Sequence, residues 1–392
     1  MNTDQYDSYI AVTDWLAQRD QPVAITLTEI LEPSGGPGTV IFPPTYARKG
    51  GDHPYAISVL RSDLAAEAAA NQGLEANICD LDTVGSQANR MEPAFEKPPL
   101  SSLVPQRVIK AGSVAVNLLQ IGHRIADGAV RFSDLADEAA QAIAALRNEC
   151  DASSLARLAP TSLIFGFWDS RDTMLKHPRI VNSTIRATNV AVLKRSAQFN
   201  PAFDPSELTL AQEPASEPGP AQDEKDPLSQ QGLRSAPAVD THGGVRVFGR
   251  IIRRTEINLV ALRSVTVTEA GKIDAGKTLK LRRYLLGLSL VAGRGQNAYN
   301  LRQGCLLVPV ADSVPGAQLV LPSGLRQPFA WEFGPSYEFA QAAAEEFGLW
   351  VEDPIAKEFA FQPDKVKAAL QAQTDEKAAK KAAKAAKRKP VA

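Results

Sequence analysis

Val23-Ala-Ile-Thr-Leu-Thr-Glu-Ile-Leu31 is the stretch from which the fold can be read first. It alternates apolar and polar side chains and is rich in branched residues, a pattern typical of a strand with one buried face. The Pro33-Ser-Gly-Gly-Pro-Gly38 segment that follows has the composition of a turn and should end the strand. Elsewhere strands and helices are mixed without strict alternation, so the sequence predicts an α+β fold rather than a doubly wound sheet.

Periodicity assigns the remaining segments. Helices are predicted at residues 65–71, 83–95, 113–126, 133–149 with Ser133 as a candidate N-cap, 276–291 and 337–347. Extended segments are predicted at residues 162–167, 180–193, 245–252, 257–267, 304–310 and 317–321. The runs at 245–252 and 257–267 can pair as a hairpin.

Composition divides the chain into four parts. Residues 201–240 are rich in Pro, Ser, Gln and acidic side chains and are predicted to be a flexible acidic insertion. This insertion separates an N-terminal part, residues 1–200, from a C-terminal part, residues 241–362, although the two parts can still share one sheet. A lysine- and alanine-rich tail covers residues 363–392 and has no apolar stripe with which to dock.

Bulk properties exclude several classes of protein. With 392 residues and 44% hydrophobic residues, the chain can bury a sizeable core. It has no run of about 18 apolar residues and its first residues do not resemble a signal peptide, so we expect a cytoplasmic protein without membrane contact. The three cysteines are far apart and the four histidines are isolated, so neither a disulfide framework, a metal site nor a cofactor is expected.

The net charge of -1 conceals a strong segregation of charge. Basic side chains dominate residues 161–200, residues 245–302 and the tail, whereas acidic side chains concentrate in the N-terminal part and the insertion. Because a bound polyanion responds to local charge, this distribution favours a nucleic-acid partner.

Arginines are densest in the predicted strand at residues 245–252 and just beyond it. Alternation along an extended chain places Arg246, Arg250 and Arg254 on one face, with about 13 Å from each arginine to the next at roughly 3.3 Å per residue. Such a row matches a phosphodiester backbone better than a single small anion. The alternative is an ordinary solvated polar face.

Two further groups are candidate contacts with RNA. Trp168 and Arg171 follow an apolar run, where a ring beside a guanidinium suits stacking on unpaired bases; a core tryptophan beside a solvated arginine is the alternative. Gln87, Asn89 and Arg90 follow Gly85-Ser86 near a predicted helix start, where free backbone amides attract phosphate.

Four motifs, taken in order, make the sequence recognisable. They are Ile41-Phe-Pro-Pro-Thr-Tyr-Ala47, Leu81-Asp-Thr-Val-Gly-Ser-Gln-Ala-Asn-Arg-Met-Glu92, Leu163-Ile-Phe-Gly-Phe-Trp-Asp-Ser-Arg171 and His242-Gly-Gly-Val-Arg246. As a set they resemble the CRISPR-associated RAMP superfamily protein that forms the Cascade backbone in type I-U systems, also called type I-G. The resemblance covers roughly residues 20–350, apart from the acidic insertion.

The resemblance implies a fold and a set of partners. The fold would be an RRM-like, ferredoxin-like palm with inserted finger and thumb elements. Copies of the chain would polymerise head to tail along CRISPR RNA, contact other Cascade subunits, and meet target DNA through the guide. A protein that coats any guide must hold phosphates and sugars rather than base edges, which agrees with the arginine-rich segments.

We therefore expect a non-enzymatic subunit that binds CRISPR RNA. The candidate RNA-binding residues are Gln87, Asn89, Arg90, Trp168, Arg171, Arg179, Arg186, Arg246, Arg250 and Arg254. Two alternatives stay open. One is a metal-dependent ribonuclease working through Asp82 or Asp169, and the other is a scaffold whose arginines pair with partner proteins instead of RNA.

Overall fold

The computed structural model describes residues 21–46, 54–59, 77–203, 230–233, 235–295, 298–311 and 313–386. Its strands are β1 (Ala24–Pro33), β2 (Ile57–Val59), β3 (Asn77–Asp82), β4 (Arg107–Ala111), β5 (Val114–Asn117), β6 (Phe167–Trp168), β7 (Lys176–His177), β8 (Val181–Thr188), β9 (Val190–Phe199), β10 (Ala236–Val247), β11 (Ile251–Asn258), β12 (Thr268–Glu269), β13 (Lys272–Ile273), β14 (Tyr299–Arg302), β15 (Cys305–Pro309), β16 (Gly316–Val320), β17 (Arg326–Pro328) and β18 (Lys357–Ala360).

Helices form the second layer. They are α1 (Val84–Met91), α2 (Gly128–Arg131), α3 (Ala136–Glu149), α4 (Ser153–Leu158), α5 (Pro160–Phe165), α6 (Leu259–Arg263), α7 (Ala275–Arg294), α8 (Phe333–Phe347) and α9 (Pro363–Ala386). Short 3₁₀ helices cover Glu92–Glu96, Leu100–Leu103, Leu118–Gln120 and Arg124–Ala126. No helix in the described part of the chain has the length and apolar character needed to span a membrane.

Nine strands of the described residues form one sheet, in which every pair is antiparallel. Its main order is β14-β15-β1-β11-β8-β3-β2. The edge of β1 opposite β11 is shared by β16, which pairs with the first half of β1, and by β15, which pairs with its end. Strands from both sides of residues 201–240 therefore meet in the same sheet.

One face of this sheet is buried along its whole length. At one end Ile25, Leu27 and Ile257 join the larger apolar cluster, in which α7 packs against α8. At the other end Leu31, Ile185 and Ile251 join a smaller cluster beneath β10 and β15. These residues alternate with polar ones, because successive side chains of a strand point to opposite faces.

A buried ionic network lies within this face. The Arg253 side chain is fully buried, and its Nη1 donates to Glu29 Oε2 at 2.5 Å and to the Gly293 carbonyl at 2.9 Å. Arg294 Nη1 donates to the second oxygen of Glu29 at 3.1 Å. Burial raises the pKa of Tyr299, which contacts the same carboxylate, to about 12 despite the lowering influence of Arg253. The network fixes β11 to β1 and to the end of α7.

Smaller sheets extend from the main one. β9 pairs with β10 as a long two-stranded ribbon, whose outer part is largely exposed. β18 pairs in parallel with β4, which also pairs with β5, while β6 and β7 form a minimal hairpin.

Many predicted elements are confirmed. Strands occupy the runs predicted at 23–31, 304–310 and 317–321, and the run at 180–193 contains β8 and the start of β9. Helices occupy the segments predicted at 83–95, 133–149, 276–291 and 337–347. The helix predicted at 65–71 lies outside the described residues. The mixture of helices with an antiparallel sheet confirms the α+β class.

Five local predictions are wrong. Residues 113–126 form β5 and 3₁₀ turns instead of a helix, because Gly112, at φ +62°, closes a β4–β5 hairpin before the β-branched Val114 and Val116. The segment predicted as extended at 162–167 is mostly helical, because residues 160–165 form the fully buried α5, starting at Pro160. Only its last residue, Phe167, lies in a strand, β6.

The other three errors concern a hairpin, an extended segment and a helix cap. β10 pairs with β9, while β11 pairs with β1 and β8, so the predicted 245–267 hairpin does not form. Residues 259–263 are helical instead of extended, because Asn258 caps α6 through Oδ1. Ser133 precedes α3 rather than capping it, with its hydroxyl oxygen accepting from the Leu135 amide.

Candidate nucleic-acid interface

The second face of the main sheet is open and polar. Across its three central strands, Thr28 of β1 lies opposite Arg254 of β11, which lies opposite Thr184 of β8. The next row on this face joins Thr26, Glu256 and Asn182 in the same way. Because alternation brings the same face back every second residue, hydroxyl, amide and charged groups replace the apolar groups of the buried face.

A groove of about 610 Å³ follows this face, and we call it the sheet groove. Its lining includes Thr26, Thr28, Val84, Asn182, Thr184, Arg254, Glu256, Gln318 and Arg326. None of these side chains is aromatic. The sheet groove therefore offers hydrogen-bonding and charged groups, which suit phosphates and sugars, and no ring on which a base could stack.

A second groove of about 480 Å³, the rim groove, adjoins it along β1. Its lining includes Ile30, Glu32, Gly38, Thr39, Arg246, Phe248 and Arg250. Thr26 and Thr28 line the sheet groove, and Ile30 and Glu32 continue the same face into the rim groove. The two grooves thus lie end to end on one side of the sheet.

Each groove has two arginines and one glutamate in its lining. Arg250, Arg254 and Arg326 form no salt bridge with any residue that the structure describes, and Arg250 and Arg254 are exposed. Arg246 lies with its guanidinium carbon 5.2 Å from the centre of the Phe248 ring. Unpaired guanidiniums of this kind are available to bind an anion from solvent.

The predicted arrangement of the arginines needs a correction. Arg246 lies on β10, Arg250 lies in the turn after it, and Arg254 lies on β11, so the three do not share one strand face. The chain turns at 248–250, where Gly249 approaches Thr188 so closely that a Cβ would lie 2.3 Å from the threonine hydroxyl. The fold nevertheless brings Arg246 and Arg250 together in the rim groove, with Arg254 in the adjoining sheet groove.

The candidates on α1 mostly make internal contacts. Gln87 is fully buried; it donates to Asp82 at 2.6 Å and accepts from the Ser183 hydroxyl at 2.9 Å. Arg90 binds Asp82 at 3.0 Å and the carbonyls of Asn300 and Leu301. These two side chains join α1 to the sheet, and burial leaves Gln87 no surface with which to contact RNA.

Asn89 and Arg179 lie on the opposite side of α1. Asn89 is exposed and accepts a 3.4 Å hydrogen bond from Arg124. Arg179 is exposed, and its Nη2 lies 3.9 Å from the Cβ position of Gly85, next to the groove residue Val84. Desolvation and, to a smaller extent, the charge of Arg124 lower the pKa of Arg179. Arg179 thus adds a positive charge beside the end of the sheet groove that Val84 lines.

Trp168 is the last residue of β6, and Arg171 lies in the loop that joins β6 to β7. The Trp168 side chain is 56% exposed, which excludes the alternative of a core tryptophan. Asp169 organises the loop by accepting from the amide and hydroxyl of Thr173 at 2.8 and 2.7 Å. Burial acts to raise the pKa of Asp169, but these hydrogen bonds outweigh it and lower the pKa.

Arg186 lies on the open face of β8, where its backbone pairs with Ile252. Its Nε donates to Asp80 Oδ1 at 2.7 Å, and about half of the side chain is exposed. This ion pair partly neutralises the arginine, so Arg186 is a weaker anion ligand than Arg250 or Arg254.

The two aspartates that a metal-dependent ribonuclease would use form internal ion pairs and hydrogen bonds. Asp82 is fully buried against Arg90 and Gln87, and Asp169 holds its own loop and Arg131. Among the described residues, no group of three or more His, Cys, Asp or Glu side chains is arranged to hold a metal ion.

The sequence analysis did not predict several residues that line the sheet groove. Thr26, Thr28, Asn182 and Thr184 could have been found, because they are the polar half of alternating strands whose other half is apolar. Gln318 and Arg326 carry no such signal, since they reach the groove only through the pairing of β16 with β1 and of β17 with β16.

Comparison with known proteins gives a family match in the N-terminal half of the chain. Residues 25–192 match the family model described as CRISPR-associated protein GSU0053. This match includes β1, β8 and α1, and thus two of the three central strands of the sheet groove. A search of curated proteins gave no match.

Proposed function

We propose that this chain, which is a CRISPR-associated protein of the GSU0053 type, binds CRISPR RNA as the backbone subunit of a Cascade-type effector. The observation that carries the proposal is the open sheet face, where unpaired arginines line two grooves that lie end to end. The protein would hold the guide in these grooves and leave the bases free to pair with target DNA.

The chemistry of the sheet groove supports backbone contacts over base recognition. RNA-binding sheets that read sequence usually stack bases on aromatic side chains, and the sheet groove has none in its lining. Threonine hydroxyls and side-chain amides can instead bind 2′-hydroxyls, while Arg254 and Arg326 bind phosphates. A guide-coating protein must tolerate every spacer sequence, and these contacts do.

Strand order supports an RRM-like palm. β16, β1, β11 and β8 are neighbours in this order, β8 and β11 are antiparallel, and helices connect β1 to β8 and β11 to β16. This is the arrangement of the β-α-β-β-α-β ferredoxin-like motif. The β9–β10 ribbon is inserted between β8 and β11, and we assign it to the thumb-like element; the β6–β7 loop with exposed Trp168 would then be an additional contact with RNA.

Assembly is the remaining part of the proposal. Copies of the chain would follow one another along the RNA, with further Cascade subunits at the ends. The proposed role is non-catalytic, which agrees with the engagement of Asp82 and Asp169 in internal ion pairs and hydrogen bonds.

The test compares a groove variant with a matched surface variant. Arg250→Gln with Arg254→Gln removes two groove charges, whereas Arg147→Gln with Lys357→Gln removes two exposed charges elsewhere. We expect the groove variant to bind a guide-length single-stranded RNA at least about tenfold more weakly, because a charged hydrogen bond contributes roughly 1.5–3 kcal/mol. The salt dependence of log K should also fall by about 1.4, from two contacts at about 0.7 each.

Two results would contradict the proposal. One is unchanged RNA affinity of the groove variant. The other is magnesium-dependent cleavage of the RNA that is lost on replacing Asp169 with Asn, which would favour the nuclease alternative. Purification from cells carrying a CRISPR array should also yield guide RNA with the native chain and much less with the groove variant.

A further inference from the structure

The long helix α9 has no role in the grooves. It continues from β18, and the only side-chain anchors described at its start are Lys365 Nζ to the Ser133 carbonyl at 3.3 Å and Gln362 to Asp134 at 2.7 Å. Every side chain from residue 367 to residue 380 is exposed. At about 1.5 Å per residue, its 24 residues extend for roughly 36 Å.

Charge is distributed unevenly along α9. Its three acidic residues, Asp364, Asp375 and Glu376, all precede residue 377. From residue 377 to the end of the helix every charged residue is a lysine, and the others are alanines. At 100° per residue, the helix positions 377, 380, 381 and 384, all of them lysines in the sequence, fall within about 100° of the helix circumference. We call this set the lysine face.

The structure describes the side chains of two members of the lysine face, Lys377 and Lys380, and these have little internal compensation. Lys380 pairs with Glu376, and Lys377 forms no salt bridge with any described residue. Like charges three and four residues apart destabilise an isolated helix by roughly 0.2–0.5 kcal/mol per pair. A bound polyanion would relieve this repulsion, so the segment gains helix stability when it is occupied.

We propose that the lysine face of α9 binds the phosphate backbone of double-stranded DNA, separately from the RNA-binding grooves. Duplex DNA carries one charge per about 1.7 Å of axis, a higher linear density than a single strand offers. The described part of α9 also has no aromatic side chain and no arginine, the groups that favour unpaired bases. A helix about 10–12 Å across fits along a duplex or into its major groove.

The test uses the full-length chain and a DNA duplex of arbitrary sequence. A duplex of about 30 base pairs gives several overlapping non-specific sites. In the tail variant, Lys377, Lys380, Lys381 and Lys384 are replaced by Gln, which keeps helix propensity. In the control variant, the exposed Lys97, Lys272, Lys357 and Lys367 are replaced by Gln, so that the net charge is the same.

We expect the tail variant to bind the duplex at least about tenfold more weakly at low salt, with a salt slope reduced by up to about 3.6, from four contacts at about 0.9 each. The control variant should change affinity less than about twofold, because its lysines are dispersed. Far-ultraviolet circular dichroism should show a gain of helix when duplex is added to the native chain and a smaller gain with the tail variant.

A single-stranded RNA arm separates this proposal from the previous one. The tail variant should keep its RNA affinity, while the groove variant with Arg250→Gln and Arg254→Gln should lose RNA affinity and keep duplex affinity. Unchanged duplex binding by the tail variant would overturn the assignment of α9. Equal losses for duplex and RNA would overturn the preference for double-stranded DNA.

Discussion

Arg253 and Arg254 are adjacent in the sequence and have opposite environments. Arg253 is fully buried against Glu29, and Arg254 lines the open sheet groove. The arginine-dense sequence predicted a positive surface but did not distinguish the two, because the buried position is defined by a partner 224 residues away. Only the pairing of β11 with β1 brings Glu29 opposite Arg253.

The first prediction uses this pair. Arg253→Met should lower the free energy of unfolding by about 3 kcal/mol or more, because it leaves Glu29 with a buried charge that Arg294 only partly compensates. Arg254→Met should change the free energy of unfolding by less than about 0.5 kcal/mol. Denaturant unfolding of both variants measures the difference; equal stabilities would show that the buried network is not needed for the fold.

The second prediction concerns pH. Burial raises the pKa of Glu92 to about 7, although Arg124 at 2.7 Å acts to lower it. The folded protein therefore binds the proton of the Glu92 carboxyl more tightly than the unfolded chain does. The stabilisation from this protonation is complete below pH 4.5 and is lost as pH rises through about 7.

The unfolding free energy of the native chain, minus that of Glu92→Gln, should therefore fall by up to about 3 kcal/mol between pH 4.5 and pH 7.5. Denaturant unfolding at several pH values provides the comparison, and the Gln variant cancels the titration of all other groups. A difference that stays constant or increases with pH would show that Glu92 remains ionised in the fold.

At the scale of elements, long segments with a strong periodicity were assigned correctly from the sequence, whereas several short segments were not. The 20-residue α7 and the strand β1 are confirmed from their own patterns. The run Leu163-Ile164-Phe165 is apolar on every side and fits either a strand or a buried helix, and its surroundings make it the buried α5. Residues 245–252 were predicted as one strand, but the chain turns at Gly249. The residues before the turn pair with β9 and those after it pair with β1 and β8, and these distant partners cannot be inferred from the local sequence.

The third prediction tests the packing of α7 on α8. A Cβ at Gly287 would lie 2.6 Å from the Ala340 Cα, so Gly287→Ala should cost about 1–3 kcal/mol through overpacking. Gly276, in the first turn of the same helix, has only the Asp274 side chain nearby at 3.5 Å. Gly276→Ala should stabilise the protein by about 0.5–1 kcal/mol.

Thermal or denaturant unfolding of the two alanine variants measures this contrast within a single helix. Both substitutions replace glycine by alanine in α7, so the main difference between them is the contact of residue 287 with α8. If both variants were stabilised, the two helices would not pack as closely as the structure shows.

At the scale of the whole molecule, the grooves depend on parts of the chain that the insertion separates. β1 and β8 precede residues 201–240, β10 begins at their end with Ala236, and β11 and β17 follow them. The strands on both sides provide groove residues. The sequence predicted the charge of these parts and the possibility of a shared sheet. It did not predict the end-to-end grooves, because their lining depends on strand pairs far apart in sequence.

The central claim is that RNA covers the open face of the main sheet. Arginine-specific labelling with phenylglyoxal, read by mass spectrometry with and without guide-length RNA, measures this directly. The account predicts strong protection of Arg250, Arg254 and Arg326, with unchanged labelling of the exposed Arg147 on α3. Undiminished labelling of the three groove arginines in the presence of bound RNA would contradict it.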